Sequence, residues 1–120
     1  MRIHHIALRT HDVARLVAFY AETLGLPIMN RTGDTSAWLQ AGEAIVMLER
    51  AEAGEPLIVP GTRELVAFAA EPGELPLFEQ RLAAGGIPLE ARTAFTLYFR
   101  DPDGRRIGVS QYPHPAGEGI

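Results

Sequence analysis

The 120-residue chain contains no cysteine, so disulfide bonds and thiol chemistry are both excluded. It contains no apolar run close to the roughly 18 residues of a membrane-spanning helix, and its first four residues form no apolar signal-peptide core. It also lacks a basic stripe, and its net charge is −4, which argues against a nucleic-acid partner. We therefore expect a cytoplasmic protein that binds neither nucleic acid nor membranes.

The composition is that of an ordinary globular protein. Hydrophobic residues make up 47% of the chain and charged residues 22%, a balance typical of folded and not of disordered proteins. A chain of this length forms one domain and is long enough to bury a core.

The most informative pattern is an internal repeat. The segment HIALRTHDVARLVAFYAETLGLPI begins at His5, and the similar segment LVAFAAEPGELPLFEQRLAAGGIPL begins about 60 residues later, at Leu65. Both end on glycine, aliphatic, proline, aliphatic, at Gly25 and at Gly86. A repeat of this kind indicates two supersecondary units that bury their faces together and leave a cleft between them.

In each half the apolar residues first alternate, as in a strand, and then recur at helical spacing. In the first half the pattern predicts a strand at 3–9, a helix at 13–24 and strands near 28–31, 36–40 and 44–49. In the second half it predicts a strand at 65–70, a helix at 75–84 and strands near 88–91, 95–100 and 106–111. The predicted fold is α+β, with two tandem β-α-β-β-β modules. The expected boundaries are module one 1–50, linker 51–61, module two 62–112 and a flexible tail 113–120.

Three segments carry a resemblance to a known family. They are His4-His5-Ile6-Ala7-Leu8 with Phe19-Tyr20 and Leu24-Gly25-Leu26, then Leu65-Val66-Ala67-Phe68, and then Tyr98-Phe99-Arg100-Asp101-Pro102-Asp103-Gly104 with Arg106-Ile107. In this order they resemble the vicinal oxygen chelate superfamily of glyoxalase I, fosfomycin- and bleomycin-resistance proteins and extradiol dioxygenases. The resemblance implies curved mixed sheets that enclose a central cleft. In the metal-dependent members it implies a divalent ion held by His and Glu side chains.

The metal-ligand positions that the resemblance implies are mostly without ligands here. The first-strand position falls on His5, but its counterpart in the second half is Leu65, and the Glu of the final strand is replaced by Gly108. The position in the last strand of the first half falls on Met47. Divalent ions need several oxygen or nitrogen donors in fixed geometry. We therefore expect no metal and no other cofactor, with a weak site at His5 and Glu49 as the alternative.

The remaining histidines are not expected to complete a metal site. Strand alternation predicts that His4 points away from His5. His11 lies at a helix start, where it caps the helix or faces solvent, and His114 lies in the tail.

Strand alternation also predicts the lining of a ligand site. We expect a small organic molecule to contact ten residues, namely His5, Ala7, Trp38, Met47, Glu49, Leu65, Ala67, Tyr98, Gly108 and Ser110. In this interpretation Gly108 leaves room for the ligand, whereas Trp38 and Tyr98 either stack on it or pack in the core. Arg9 and Arg100 either bind a carboxylate or face solvent. Arg105 and Arg106 are expected at a solvated edge.

Two classes of function remain open from the sequence. The first is a metal-free binding protein of the glyoxalase and bleomycin-resistance type, a homodimer whose partner subunit completes the cleft. The second is an enzyme, either a lyase or a dioxygenase-type oxidoreductase with a rebuilt metal site, or a metal-free catalyst. In that last case His5 and Glu49 are the candidate general acid and base.

Overall fold

The computed structural model describes residues 1–113 and contains two modules with the same order of elements. The first has β1 (His5–Thr10), α1 (Val13–Val17) running on as a π-helical segment (Ala18–Thr23), β2 (Ile28–Thr32), β3 (Ser36–Ala41) and β4 (Ala44–Arg50). The second has β5 (Leu65–Ala69), α2 (Leu75–Ala84), β6 (Ala91–Arg92), β7 (Thr96–Arg100) and β8 (Arg106–Ser110). The predicted α+β fold of two β-α-β-β-β modules is confirmed. The predicted tail lies almost wholly outside the described residues.

Each module forms its own four-stranded mixed sheet. Sheet one has the order β1-β4-β3-β2, and sheet two has the equivalent order β5-β8-β7-β6. In both, the first and last strands of the module are parallel neighbours and the other pairs are antiparallel. The sequence repeat is therefore also a repeat of topology.

The first helix is capped by Asp12, and its geometry changes midway. The Asp12 carboxylate accepts a hydrogen bond of 3.1 Å from the backbone N–H of Arg15, which satisfies a free donor of the first turn. From Ala18 the chain continues as a π-helix instead of the predicted α-helix. The consecutive rings of Phe19 and Tyr20 are both buried there and meet edge to face at 4.8 Å.

The two modules share one hydrophobic core, which lies on the helix-covered sides of the sheets. Phe19 of the first helix contacts Phe99 of sheet two, with ring centroids 5.9 Å apart. The hydroxyl of Tyr20 donates a 2.6 Å hydrogen bond to the buried carboxylate of Asp101. Burial raises the pKa of the Tyr20 hydroxyl, and the adjacent Asp101 charge raises it further.

The turn between β7 and β8 anchors this junction. Asp101 accepts hydrogen bonds from the backbone N–H groups of Asp103 and Arg105 at 2.9 and 3.0 Å, and from Nη1 of Arg105 at 3.2 Å. Nη2 of Arg105 donates to the carbonyl oxygen of Arg9 in module one. The prediction of a solvated Arg105 is therefore wrong, because only 11% of its side chain is exposed.

Strand boundaries differ most at β6. The sequence predicts a strand near 88–91, but only Ala91–Arg92 pairs with β7. Pro88 has no N–H to donate to a sheet, which explains the late start. No helix within residues 1–113 is both long enough and apolar enough to cross a bilayer.

Candidate ligand-binding faces

Sheet one has one open face, built by strand alternation. Ile6, Leu8 and Thr10 point toward the helices, so the alternate residues of β1 point the other way. Register partners on neighbouring strands share a side of the sheet. Face one therefore consists of three rows across β1, β4 and β3: His5, Ile45 and Gln40, then Ala7, Met47 and Trp38, then Arg9, Glu49 and Ser36.

Sheet two has an equivalent open face. Its core-facing residues on β7 and β8 are Leu97, Phe99, Ile107 and Val109. Face two consists of three corresponding rows across β5, β8 and β7: Leu65, Arg106 and Arg100, then Ala67, Gly108 and Tyr98, then Ala69, Ser110 and Thr96. Each residue predicted to contact a ligand lies on one of these two faces, and that predicted role remains a proposal.

The middle rows are the most apolar part of both faces. Trp38 is 38% exposed beside Met47, so its ring is available on face one. On face two, Leu65 is 41% exposed next to Ala67 and Gly108. These positions offer aromatic and aliphatic contact surface of the kind that small-molecule sites use.

Gly108 lies beside Ala67 and Leu65, and the expectation that it leaves room for a ligand remains a prediction. A Cβ built at this residue would lie 3.4 Å from Cβ of Ala67 and 3.5 Å from Cδ1 of Leu65. The space that a side chain at residue 108 would occupy is therefore bordered by Leu65. A ligand on face two therefore meets Leu65 and Ala67 before it meets the glycine.

His5 and Glu49 are not brought together. His5 is the register partner of Ile45, whereas Glu49 is the partner of Arg9, four residues further along β1. That separation is about 13 Å along the strand. The prediction that His4 points away from His5 is also wrong: their Nδ1 atoms lie 2.9 Å apart, because His4 precedes the strand and is free of its alternation.

Arg9 binds carboxylates of its own chain. Its Nε and Nη2 donate to the two oxygens of Glu55 at 2.9 and 2.8 Å, and its Nη1 lies 3.5 Å from Glu49. The hydrogen bonds from Arg9, together with one from the backbone N–H of Glu52, lower the pKa of Glu55 to about 2. Face one thus places two carboxylates around one guanidinium.

Face two has the opposite balance. Arg100 donates hydrogen bonds from Nε and Nη2 to the carboxylate of Glu90, the second at 3.0 Å. These hydrogen bonds lower the pKa of the Glu90 carboxyl. Arg106 lies with its guanidinium carbon 4.4 Å from the centre of the Tyr98 ring. Only 13% of its side chain is exposed, so the prediction of a solvated Arg106 is wrong. Alternation from Gly108 would have placed Arg106 on this face.

The residues at the family's metal positions do not fit a catalytic divalent ion. His5 supplies one imidazole nitrogen, but Leu65 and Gly108 supply no donor, and Met47 supplies only a thioether. Within residues 1–113, no group of three or more His, Cys, Asp or Glu side chains is placed to hold an ion.

The cavities in the described part of the chain include three that lie away from face one. Those of about 550 and 390 Å³ flank the segment Ile87–Leu89, beside α2 and beside Arg15 respectively. The third, of about 230 Å³, lies between the modules and is lined by Leu65 and Arg106 of face two. Trp38 and Met47 of face one line none of these three cavities.

Comparison with known proteins agrees with this fold. The family model described as Glyoxalase/Bleomycin resistance protein/Dioxygenase superfamily matches residues 2–109. A glutathione transferase, FosA of Serratia marcescens, is 31% identical over 88% of this chain and 77% of its own. A virulence protein of Salmonella typhimurium is 28% identical over 92% of this chain and 84% of its own. A solved structure described as a possible glyoxalase from Bacillus cereus superposes with a TM-score of 0.73 at 26% identity, covering 92% of this chain and 98% of its own.

Proposed function

Because the chain belongs to the Glyoxalase/Bleomycin resistance protein/Dioxygenase superfamily, we propose that it is a small-molecule-binding protein of this superfamily that has lost the metal site. The observation that carries the proposal is the chemistry of face two. At the two positions where the resemblance implies metal ligands stand Leu65 and Gly108, and a Cβ added at Gly108 would lie 3.5 Å from Cδ1 of Leu65. An apolar contact surface is suited to binding an organic molecule and not to holding an ion.

The proposed protein is a cytoplasmic homodimer. Face one exposes Trp38 in its middle row, and face two exposes Leu65 in the row beside its middle row. Exposed apolar surface of this kind marks a binding or association site. A second subunit that covers these rows would turn two open faces into closed clefts, and the predicted ligand contacts would then line them.

Acid–base catalysis by His5 and Glu49 receives no support from the geometry. The two side chains lie in the first and third rows of face one, and Glu49 is the neighbour of Arg9. A general acid and base must both reach one bound substrate. A ligand contacting both would have to span about 13 Å.

The metal part of the proposal is tested by elemental analysis of protein purified without chelator. The wild-type protein should carry no stoichiometric metal, and EDTA should leave its melting temperature unchanged. A double variant, Leu65→His with Gly108→Glu, restores two donors and should gain bound Zn²⁺ or Mn²⁺ together with an EDTA-sensitive melting temperature. One equivalent of tightly bound metal in the wild-type protein would overturn the proposed loss.

The dimer part is tested by light scattering at micromolar concentration. Ala7→Glu places a charge in the middle row of face one and should shift the protein toward monomer. The matched control is Ala53→Glu, at an exposed residue of the segment that joins the modules, and it should stay dimeric. A monomeric wild-type protein would contradict the proposal.

A further inference from the structure

We propose that Arg106 is the anchor for the carboxylate of a compact, mainly apolar ligand that binds at face two. The inference rests on the proposed binding function and specifies the ligand class. It is carried by the surroundings of the Arg106 guanidinium, whose charge and hydrogen-bond donors the chain leaves largely unsatisfied.

The first step is the charge balance. Arg100 and Arg106 are register partners directly across the β7–β8 pair, where two like charges repel. One carboxylate, Glu90, lies between them, and Arg100 already holds both of its oxygens. Two cations therefore share one anion, and a second anion would restore neutrality.

The second step concerns the donors. Nε of Arg106 is buried and lies 3.3 Å from Glu90 without forming a hydrogen bond. In the part of the chain that the structure describes, the two Nη groups donate no hydrogen bond to another residue either. The ion pair with Glu90 thus leaves the buried Nε without a hydrogen bond, which is costly, and an oxyanion is the group that best satisfies the donors of a guanidinium.

The third step is the cavity beside Arg106. The cavity has a volume of about 230 Å³, and its walls are mainly apolar. The residues that line it are Leu8, Ile58, Glu64, Leu65, Val66, Arg105 and Arg106. The donors of Arg105 are used by Asp101, Asp103 and the Arg9 carbonyl. No ion pair within residues 1–113 joins Glu64 to Arg106.

These features define the ligand chemistry. A planar carboxylate matches the guanidinium fork and can accept two parallel hydrogen bonds. The aliphatic walls favour an apolar body, and the cavity limits it to about the size of one ring. Stacking on Tyr98, at 4.4 Å, holds the guanidinium in place before the ligand arrives, so less freedom is lost on binding.

Benzoate is the probe, and benzamide is its neutral counterpart of the same shape. Calorimetric titration of the wild-type protein should show benzoate binding and much weaker benzamide binding. Arg106→Met keeps the apolar stem but removes the charge, and should weaken benzoate binding roughly ten- to a hundredfold. The benzoate affinity of Arg106→Lys should lie between those of the wild type and Arg106→Met. Arg92→Met is the control, since Arg92 lies at the exposed edge paired with Glu79, and it should bind benzoate as the wild type does.

A second variant keeps the test independent of the folding of Arg106→Met. Glu90→Gln removes the competing carboxylate and should strengthen benzoate binding severalfold; unchanged affinity would overturn the assignment. Equal binding of benzoate and benzamide would also overturn it, while leaving the apolar site of the proposed function in place. Failure of benzoate to bind the wild-type protein would overturn it too. The assignment would also fail if Arg106→Met kept its benzoate affinity but no longer dimerised, because the anion that pairs with Arg106 would then come from the partner subunit.

Discussion

Face one and face two share a backbone plan and differ in chemistry. Their middle rows both begin with alanine, at Ala7 and Ala67, and both end with an aromatic residue, at Trp38 and Tyr98. The charged residues lie at opposite ends. On face one, Arg9 pairs with the two carboxylates of Glu49 and Glu55. On face two, Arg100 and Arg106 share the single carboxylate of Glu90. The two faces thus share one arrangement of strands and differ in the balance of their charges.

The corresponding turns differ as strongly as the faces. The turn between β3 and β4 is largely exposed, and Glu43 pairs there with Arg2 in solvent. The turn between β7 and β8 contains the buried Asp101, which joins the two modules. Equivalent positions in a repeat can therefore contribute very differently to the free energy of unfolding. Substitutions at the two turns can measure this difference.

The largest expected effect is at Asp101. Asp101→Ala leaves Tyr20 and Arg105 buried without their partner and should lower the free energy of unfolding by about 3–5 kcal/mol. Glu43→Ala, in the corresponding turn, should change it by less than about 0.5 kcal/mol. Urea denaturation of both variants measures the difference. Similar losses in the two turns would show that the junction is not held by Asp101.

The next effect compares the centres of the two faces. In Gly108→Leu the Cβ alone would already be in van der Waals contact with Ala67 and Leu65, so the rest of the new side chain should cost about 1–3 kcal/mol through overpacking. Met47→Leu, at the equivalent position of face one, conserves volume and should cost less than about 1.5 kcal/mol. Thermal unfolding with circular dichroism can compare them. If Gly108→Leu were neutral, the centre of face two would be more open than its contacts indicate.

A smaller difference is expected between the two glycines that end the helices. Gly25 and Gly86 both have positive φ, +86° and +72°, so alanine at either should cost about 1 kcal/mol. At Gly25 the new Cβ would also lie 2.8 Å from Nη1 of Arg81, which donates a 3.3 Å hydrogen bond to the carbonyl of Leu24. Gly25→Ala should therefore cost about 0.5–1.5 kcal/mol more than Gly86→Ala. Equal melting temperatures would exclude a contribution from Arg81.

The smallest effect is a pH dependence on face one. Hydrogen bonds from Arg9 lower the pKa of Glu55 from 4.5 to about 2, so the pair favours the folded state above about pH 4.5. This contribution is lost as the pH falls from about 4.5 through 2. Glu55→Gln should therefore flatten the fall of the melting temperature in that interval and leave its shape above pH 5 unchanged. Superimposable profiles for the variant and the wild type would contradict the assignment.

The sequence by itself determines the fold and which strands supply the two faces. The repeat, the alternation of Ile6 and Leu8 with Ala7 and Arg9, and the helical spacing after Asp12 are local patterns. A local pattern is set by the geometry of a strand or a helix and needs no distant partner. The same reasoning predicted α2 at 75–84, and the structure confirms it.

Only the tertiary structure decided which side chains on the two faces are buried and which are paired. Sheet register separates His5 from Glu49, and packing across 81 residues of chain buries Asp101 against Tyr20. Leu65 takes up the space beside Gly108, and Tyr98 with Glu90 turns Arg106 from an expected surface residue into a half-satisfied cation. Each of these outcomes depends on which distant side chain arrives at a given place, because burial and pairing are properties of the assembled chain and not of a segment.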